Sequence, residues 1–450
     1  MLYVSFFISL LFLIINYIIV DKDYFHPSVI FVFVFSVAQL LCILNSTTYG
    51  IVFNEQTLFV LAVAMVVFTV ITSISRLNFK NNSTQVKEQL EPIVLSTSVK
   101  VIFLIIQLLT LYLFHRYQQS LYMTYKGGVG SFSELINNYD QLTKFSSEEL
   151  LSLGVRQFKL YSYFKALTEA GTYIIIYVTI QNYLVNKKIS KLNILIITTY
   201  CLFLLMHGSR SPLFRVVTAT LAIIYLLVLK RAGLRKLGAK FAGQIVVILL
   251  ALIPLFILFL DATGRIGGAN ESNWNRELFV YIGAPLLNLN NYLEHTNFIG
   301  LNTRYFGEQT FLGLHNILSN KLHLYNFYAT GVIGAKSFVN SNGLSTGNVF
   351  TTFYQIIYDF SLWGVAPIVA IFSSYYILTY DKILTAHKEH LKIDVRIFFY
   401  AYLINDLIML FFSNRFFETT LSLSFIKFAV TAIVIIWIIN QDTKIKFKWS

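Results

Sequence analysis

The residues best suited to chemistry lie in His207-Gly208-Ser209-Arg210-Ser211-Pro212, a turn between two apolar runs. Gly208 and Pro212 reverse the chain there, Arg210 is held at the turn, and the next run offers a helix N-terminus. An arginine beside helix N-terminal N–H groups makes a receptor for phosphate or pyrophosphate, using the guanidinium fork and the backbone donors together. The competing reading is an arginine reaching up to lipid headgroups, and the turn alone does not choose between them. Arg215, one turn further in, reaches headgroups less easily, so a second cation there favours the anion site. Asp406 and Lys427 lie inside apolar runs, each about seven residues, or roughly 10 Å, from a run's end. Charges at that depth pair or line a cavity. A mutual ion pair is the plain reading and a proton relay the sharper one. Arg415 and Glu418 share a short connection and read as a surface pair, with Arg415 available to a ligand.

The remaining titratable residues form no metal site. His387 and His390 are three apart but stand among lysines, and His315 and His323 are eight apart with no carboxylate between them. His207, and His295 beside Glu294, are candidate bases. The chain has no P-loop, no dinucleotide-binding glycine motif and no Ser-His-Asp signature, so no cofactor is expected. Any reaction must therefore use a substrate that is already activated.

The elements that position these residues follow from composition. The 450-residue chain is 56% hydrophobic and 13% charged, with 41 Phe and 28 Tyr, and its mean hydropathy is +0.64. Soluble chains run near 45–50% apolar and about 25% charged, so disordered, collagenous, coiled-coil and disulfide-scaffold classes are excluded. The net charge of +13 would suggest nucleic acid in a soluble protein. Here the cations concentrate in short connections, which fixes orientation in a bilayer, and no nucleic-acid partner is expected. Cys42 and Cys201 both lie inside apolar runs and support neither a disulfide framework nor a metal site. The N-terminus has no basic region and no small-residue cleavage site, and reads as a retained first span.

The expected fold is an all-α polytopic integral membrane protein. Eleven runs approach the roughly 20 residues that cross a hydrocarbon core: 2–20, 28–44, 57–75, 98–115, 166–184, 192–207, 213–230, 241–261, 362–380, 397–413 and 421–439. Lysine and arginine cluster in 76–100, 185–191, 230–240, 381–396 and the tail, all after odd-numbered spans. This predicts an external N-terminus and a cytoplasmic C-terminus. Two long external loops then remain, 116–165 and 262–361, and loops of that length usually bind or cover something. The second is rich in Asn, Gly, Tyr and Phe, as in Leu289-Asn290-Asn291-Tyr292, which suits a polar, ring-shaped ligand. Its apolar stretch Leu278 to Leu289 reads as an interfacial or re-entrant helix. No internal repeat is visible, which counts against an inverted-repeat transporter.

Three segments, in order, resemble the oligosaccharide repeat-unit (Wzy-type) polymerases of bacterial O-antigen and capsule synthesis. Gly208-Ser209-Arg210-Ser211-Pro212-Leu213 is like the family's G-(S/G)-R-(G/S)-x-L at a span start. Leu278-Phe279-Val280-Tyr281-Ile282-Gly283-Ala284-Pro285 is like its Y-x-x-x-P segment. Asn348-Val349-Phe350-Thr351, followed by Tyr358-Asp359-Phe360 and Gly364, is similar to N-x-(Y/F)-T…Y-x-D-F-G…G, with Ser361 where the family usually has Gly. The match covers about residues 195–420; the first 190 residues match in hydropathy alone.

The resemblance implies a nucleotide-independent glycosyltransferase at the outer face of the bacterial cytoplasmic (inner) membrane. A growing glycan on undecaprenyl pyrophosphate would pass to the non-reducing end of a fresh lipid-linked repeat unit. Arg210, Arg215 and Arg415 would neutralise charge on the leaving pyrophosphate. Glu294, His295, Glu308 and Asp359 are the candidates for the base. Ser209, Arg265, Tyr281, Asn291, Tyr292, Arg304, Asn348 and Tyr358 would bind substrate. A chain-length regulator protein is a partner expected from the family alone. The rivals are a glycan ligase using the same donor and a flippase for the same lipid-linked oligosaccharide.

Overall fold

A computed structural model describes residues 1–82, 90–145, 147–208, 211–232, 274–295, 303–327, 338–385 and 392–441. Every expected span within them lies on a helix, and the expected span 241–261 falls outside them. Among the described residues seven helices are long and apolar enough to cross a membrane: Leu2–Ile19, Pro27–Leu44, Glu55–Asn78, Thr97–Lys126, Ser211–Arg231, Leu362–Thr385 and Leu423–Gln441. Three more expected spans lie on Tyr161–Asn186, Lys191–Met206 and Val395–Ile408. The first of these is long but carries Glu169, Gln181 and Asn182; the other two have 16 and 14 residues. The chain divides into two compact units. One is Met1–Gln85, Gly268–Ala386 and Asp406–Leu423, and the other is Val86–Gly267, His387–Asn405 and Ser424–Ser450.

In the first unit the N-terminal helices pack through aromatic rings and a few polar contacts. Phe31 stacks on Phe68 at 3.9 Å. Ser9 donates to Gln39 at 2.9 Å and Asn16 to Thr69 at 2.8 Å, the kind of interhelical bond that apolar helices use when lipid offers no alternative partner. The helix Pro27–Leu44 begins with Pro at its first position, and the His26 ring accepts the Ser28 amide at 3.3 Å. His26, Arg76 and Asp381 meet at one end of this unit. The Arg76 guanidinium is 3.6 Å and the His26 ring 3.9 Å from the Asp381 carboxylate, Ser75 donates to the same carboxylate, and Tyr380 donates to Asp23. At the other end Asn45 pairs with Asn275, Asn54 with Asn290, and Ser341 and Asn342 reach the carbonyls of Tyr49 and Thr48.

The second unit is organised in the same way. At one end Arg231 donates to the Leu184 carbonyl at 2.7 Å, Lys230 pairs with Asp394 at 3.3 Å, Gln181 bonds the Glu91 carbonyl, and Asn440 bonds that of Ile393. At the other, Gln118 donates to the Met206 carbonyl at 2.7 Å and the Tyr139 ring meets His207 edge-on. Within each unit, segments that the Lys/Arg pattern assigns to one side gather at one end.

The two long connections differ in detail from a pair of loops. The helix Thr97–Lys126 runs 30 residues, well past the expected span end, and Phe132–Phe145 and Ser147–Ser152 are helical too. The stretch Leu278 to Leu289 lies on a helical run, Trp274–Leu278, a π turn Phe279–Gly283 and Ala284–His295, and residues 283–290 are buried in the unit. An antiparallel hairpin, Val339–Ser341 with Leu344–Gly347, departs from the all-α expectation. Asn342 and Gly343 both have positive φ, 51° and 75°, the requirement of a type I′ turn, and Asn-Gly is its strongest sequence signal.

Candidate functional site

The first unit assembles one polar and aromatic framework from segments far apart in sequence. The Asn288 amide group donates to the Val349 carbonyl at 2.9 Å and the Thr346 carbonyl at 3.2 Å, while Thr346 returns a bond of 2.7 Å. This fixes the helix Ala284–His295 against the segment that starts the helix Thr352–Phe360. Thr351 caps that helix, its hydroxyl accepting the Phe353 amide at 3.3 Å. Phe353, Ile356 and Ile357 are buried along one face. Phe350, Tyr354 and Tyr358, spaced by four, share the other. The Tyr354 ring lies 4.6 Å from Phe350, 6.3 Å from Tyr358 and 4.7 Å from Tyr292. The three tyrosines are half-buried, so their rings form a shelf that solvent reaches. Burial, followed by its tyrosine neighbours, pushes the Tyr354 hydroxyl up to about 12, so it remains a proton donor at physiological pH.

Asn414 extends this framework to Arg415. Its side chain donates to the Thr310 carbonyl at 3.1 Å and accepts from Thr352 at 3.4 Å, and Phe417 meets Phe311 edge-on at 5.2 Å. Arg415 itself pairs with Glu418 at 3.6 Å, as the sequence suggests, and its Nε is buried with no hydrogen-bond partner among the described residues. A buried donor of that kind is what a bound anion would satisfy.

Asp359 is buried and accepts the backbone amides of Gln309, at 3.0 and 3.1 Å, and Thr310, at 2.6 Å. Burial raises its carboxyl above the usual range against the pull of those amides. To act as a base it would have to release the 309–310 turn. Glu308, also buried, accepts the Arg304 amide at 3.2 Å. Ser361 follows at φ 61°, ψ −172°, a conformation essentially confined to glycine. Ser361→Gly is therefore expected to stabilise the protein by about 1 kcal/mol, strain relief exceeding the entropy cost of glycine. A lower unfolding midpoint in detergent would contradict that.

The other expected site residues distribute as follows. Tyr281 is half-buried in the π turn, Asn291 is half-buried beside Tyr292, and Glu294 is exposed on the same helix. Asn348 is half-buried between the hairpin and the aromatic face. Arg304 is exposed, with its guanidinium 5.6 Å from the Tyr305 ring. Ser209, Arg210, Arg265 and the side chain of His295 lie outside the described residues. Asp406 is buried in the first unit near Tyr375, and Lys427, in the second, donates to Ser162 at 2.8 Å beneath the Tyr163 ring.

In the second unit Arg215 meets partners the sequence reading missed. Its guanidinium donates to the Tyr402 hydroxyl at 2.9 Å, and Tyr402 donates to Glu169 at 2.7 Å. Gly208 has φ 64°, and an added Cβ there would lie 2.9 Å from Asp140, so helix Phe132–Phe145 packs directly on the turn that precedes Arg210. Of the missed residues, Phe350 and Tyr354 were detectable from the four-residue spacing with Tyr358, and Glu169 as a carboxylate inside an expected span. Asn414 and Tyr402 carried no local signal.

The fold and these sites define a polytopic helical membrane protein. Compared with family models, curated proteins and solved structures, the chain matches none of them.

Proposed function

We propose that this protein polymerises lipid-linked oligosaccharide repeat units at the outer face of a bacterial cytoplasmic membrane, with eleven spans and a cytoplasmic C-terminus. The observation that carries this reading is the joined framework in the first unit. The segments 278–285 and 348–364, two of the three that resemble the polymerases, belong to elements bonded to each other through Asn288, and Asn414 ties Arg415 to the same framework. An accessible tyrosine shelf beside amide side chains suits a sugar, whose apolar ring faces stack and whose hydroxyls bond. A cation with a buried, unmatched donor suits a pyrophosphate.

The step needs no nucleotide. An acceptor hydroxyl oxygen attacks the anomeric carbon of the donor glycan, and the bond from that carbon to the pyrophosphate oxygen breaks. The electron pair leaves with undecaprenyl pyrophosphate, whose charge the arginines neutralise, and the hydroxyl proton passes to a carboxylate or imidazole. The test is a glycan ladder on a gel from cells that make the cognate repeat unit. Deleting the protein should leave single repeat units on the final acceptor. Complete loss of glycan from that acceptor would point to a ligase or flippase instead, and an intact ladder would remove the reading.

A further inference from the structure

We propose that the segment 303–327, with Trp363, is seated in the headgroup region of the leaflet at which the helix Leu362–Thr385 begins. Its exposed apolar side chains would lie in lipid, with Arg304 and Lys321 on lipid phosphates. All of these residues belong to the first unit.

The segment is clamped at the depth where spans begin and end. The Phe306 ring lies 4.9 Å from Phe360, two residues before Leu362. Gly307 turns the chain at φ 63°, and an added Cβ there would lie 2.2 Å from Phe311 and 3.1 Å from Phe360. The helix Leu312–Asn320 rests directly on the chain entering Leu423–Gln441, because a Cβ at Gly313 would lie 2.6 Å from the Leu421 carbonyl oxygen. Asn414, just past the expected span 397–413, adds its bond to the Thr310 carbonyl. Tied to two span starts and one expected span end, the segment stays close to the bilayer surface.

Its side chains are arranged the wrong way round for water. His315 is buried, with Nε2 bonded to the Phe306 carbonyl at 3.0 Å and Nδ1 to the Tyr325 hydroxyl, and its ring stacks on Phe327 at 4.7 Å. Tyr305 donates to the Asn326 carbonyl at 2.7 Å. These bonds close the segment on itself with polar groups turned inward. Phe306 is nevertheless 78% exposed, Leu324 66% and the neighbouring Trp363 83%. Large apolar side chains held outward beside a span start mark contact with a membrane, where aromatic rings favour the headgroup level. On the helix, Leu314 and Leu318 share one face and the exposed Asn316 and Asn320 another, a side for lipid and a side for water.

Charge points to the same occupant. Arg304 and Lys321 are exposed, and neither has an ion-pair partner among the described residues. The segment's one carboxylate, Glu308, is buried. Cations around an apolar surface suit anionic lipid phosphates, whereas the same surface of a second copy would repel them. Arg304 thereby serves the headgroups rather than the glycan.

The experiment uses the full chain in nanodiscs of phosphatidylethanolamine and phosphatidylglycerol, with bimane attached at Phe306→Cys, Leu324→Cys or Asn316→Cys. Cys42 is buried and Cys201 partly so, and the unsubstituted chain supplies their background. A spin label near the top of the lipid acyl chain should quench bimane at 306 and 324 roughly threefold more than at 316, and aqueous iodide should do the reverse. Replacing phosphatidylglycerol by phosphatidylcholine, or combining Arg304→Gln with Lys321→Gln, should lower lipid quenching at 324. The probe positions are exposed, so unfolding midpoints should hold; where one variant fails to fold, the other carries the prediction. Iodide quenching at 306 and 324 equal to that at 316, without lipid quenching, would overturn the proposal. So would protection from both quenchers, which would put a second copy or another protein over the patch. Lipid quenching indifferent to phosphatidylglycerol and to the cations would overturn the assignment of Arg304 and Lys321.

Discussion

Asp381→Asn is expected to lower stability by about 3–5 kcal/mol, because it removes a buried counter-charge of a buried arginine. The Arg76 and Asp381 side chains are 8% and 7% exposed and stand 3.6 Å apart. Asparagine keeps the shape and one acceptor for Ser75 but leaves the guanidinium uncompensated by this carboxylate. The loss should appear as a lower unfolding midpoint in detergent and less folded protein in the membrane. Adding Arg76→Met should recover much of it, since a neutral pair of similar volume buries no charge. An unchanged midpoint for Asp381→Asn would show that other groups neutralise Arg76.

Arg415 should behave in the opposite way, with a large effect on rate and almost none on stability. Its pair with Glu418 is part-exposed, 30% and 36%, and such pairs contribute roughly 0–1 kcal/mol. As a donor-binding arginine, however, it would supply about 3 kcal/mol of transition-state stabilisation, or about a hundredfold in rate. Arg415→Ala should therefore leave abundance and unfolding unchanged while collapsing the glycan ladder. Arg415→Lys should be nearly as damaging, because an ammonium cannot make the two-pronged contact. Glu418→Gln, which releases the guanidinium without removing it, should leave the ladder largely intact. A full ladder from Arg415→Ala would return this residue to the surface ion pair.

The contrast between these two residues follows what could be read from the chain. Apolar runs of membrane length report themselves locally, so each expected span within the described residues lies on a helix. The lysine pattern is local as well, and the gathering of Arg76 with Asp381, and of Arg231 with the Leu184 carbonyl, follows its grouping of segments. The Arg415–Glu418 pair needed only a spacing of three. Tertiary partners were another matter. Tyr402 lies 187 residues from Arg215 and 233 from Glu169, and nothing in either neighbourhood announces the bridge. The asparagines of Leu289-Asn290-Asn291-Tyr292 all suggested a ligand, yet Asn290 is buried and spends its side chain on Asn54, Thr57 and Val52. Asp359 likewise has its carboxylate committed to the 309–310 amides. Composition drew attention to this stretch of chain, but it could not separate the residues that hold the shelf from those that face outward on it.

The most direct measurement is reconstitution of the purified protein in liposomes with its lipid-linked repeat unit, in the absence of ATP and nucleotide sugars. The account predicts a ladder of products whose rungs differ by one repeat unit, with undecaprenyl pyrophosphate released at each addition. Folded protein that leaves the single repeat units unchanged would contradict it.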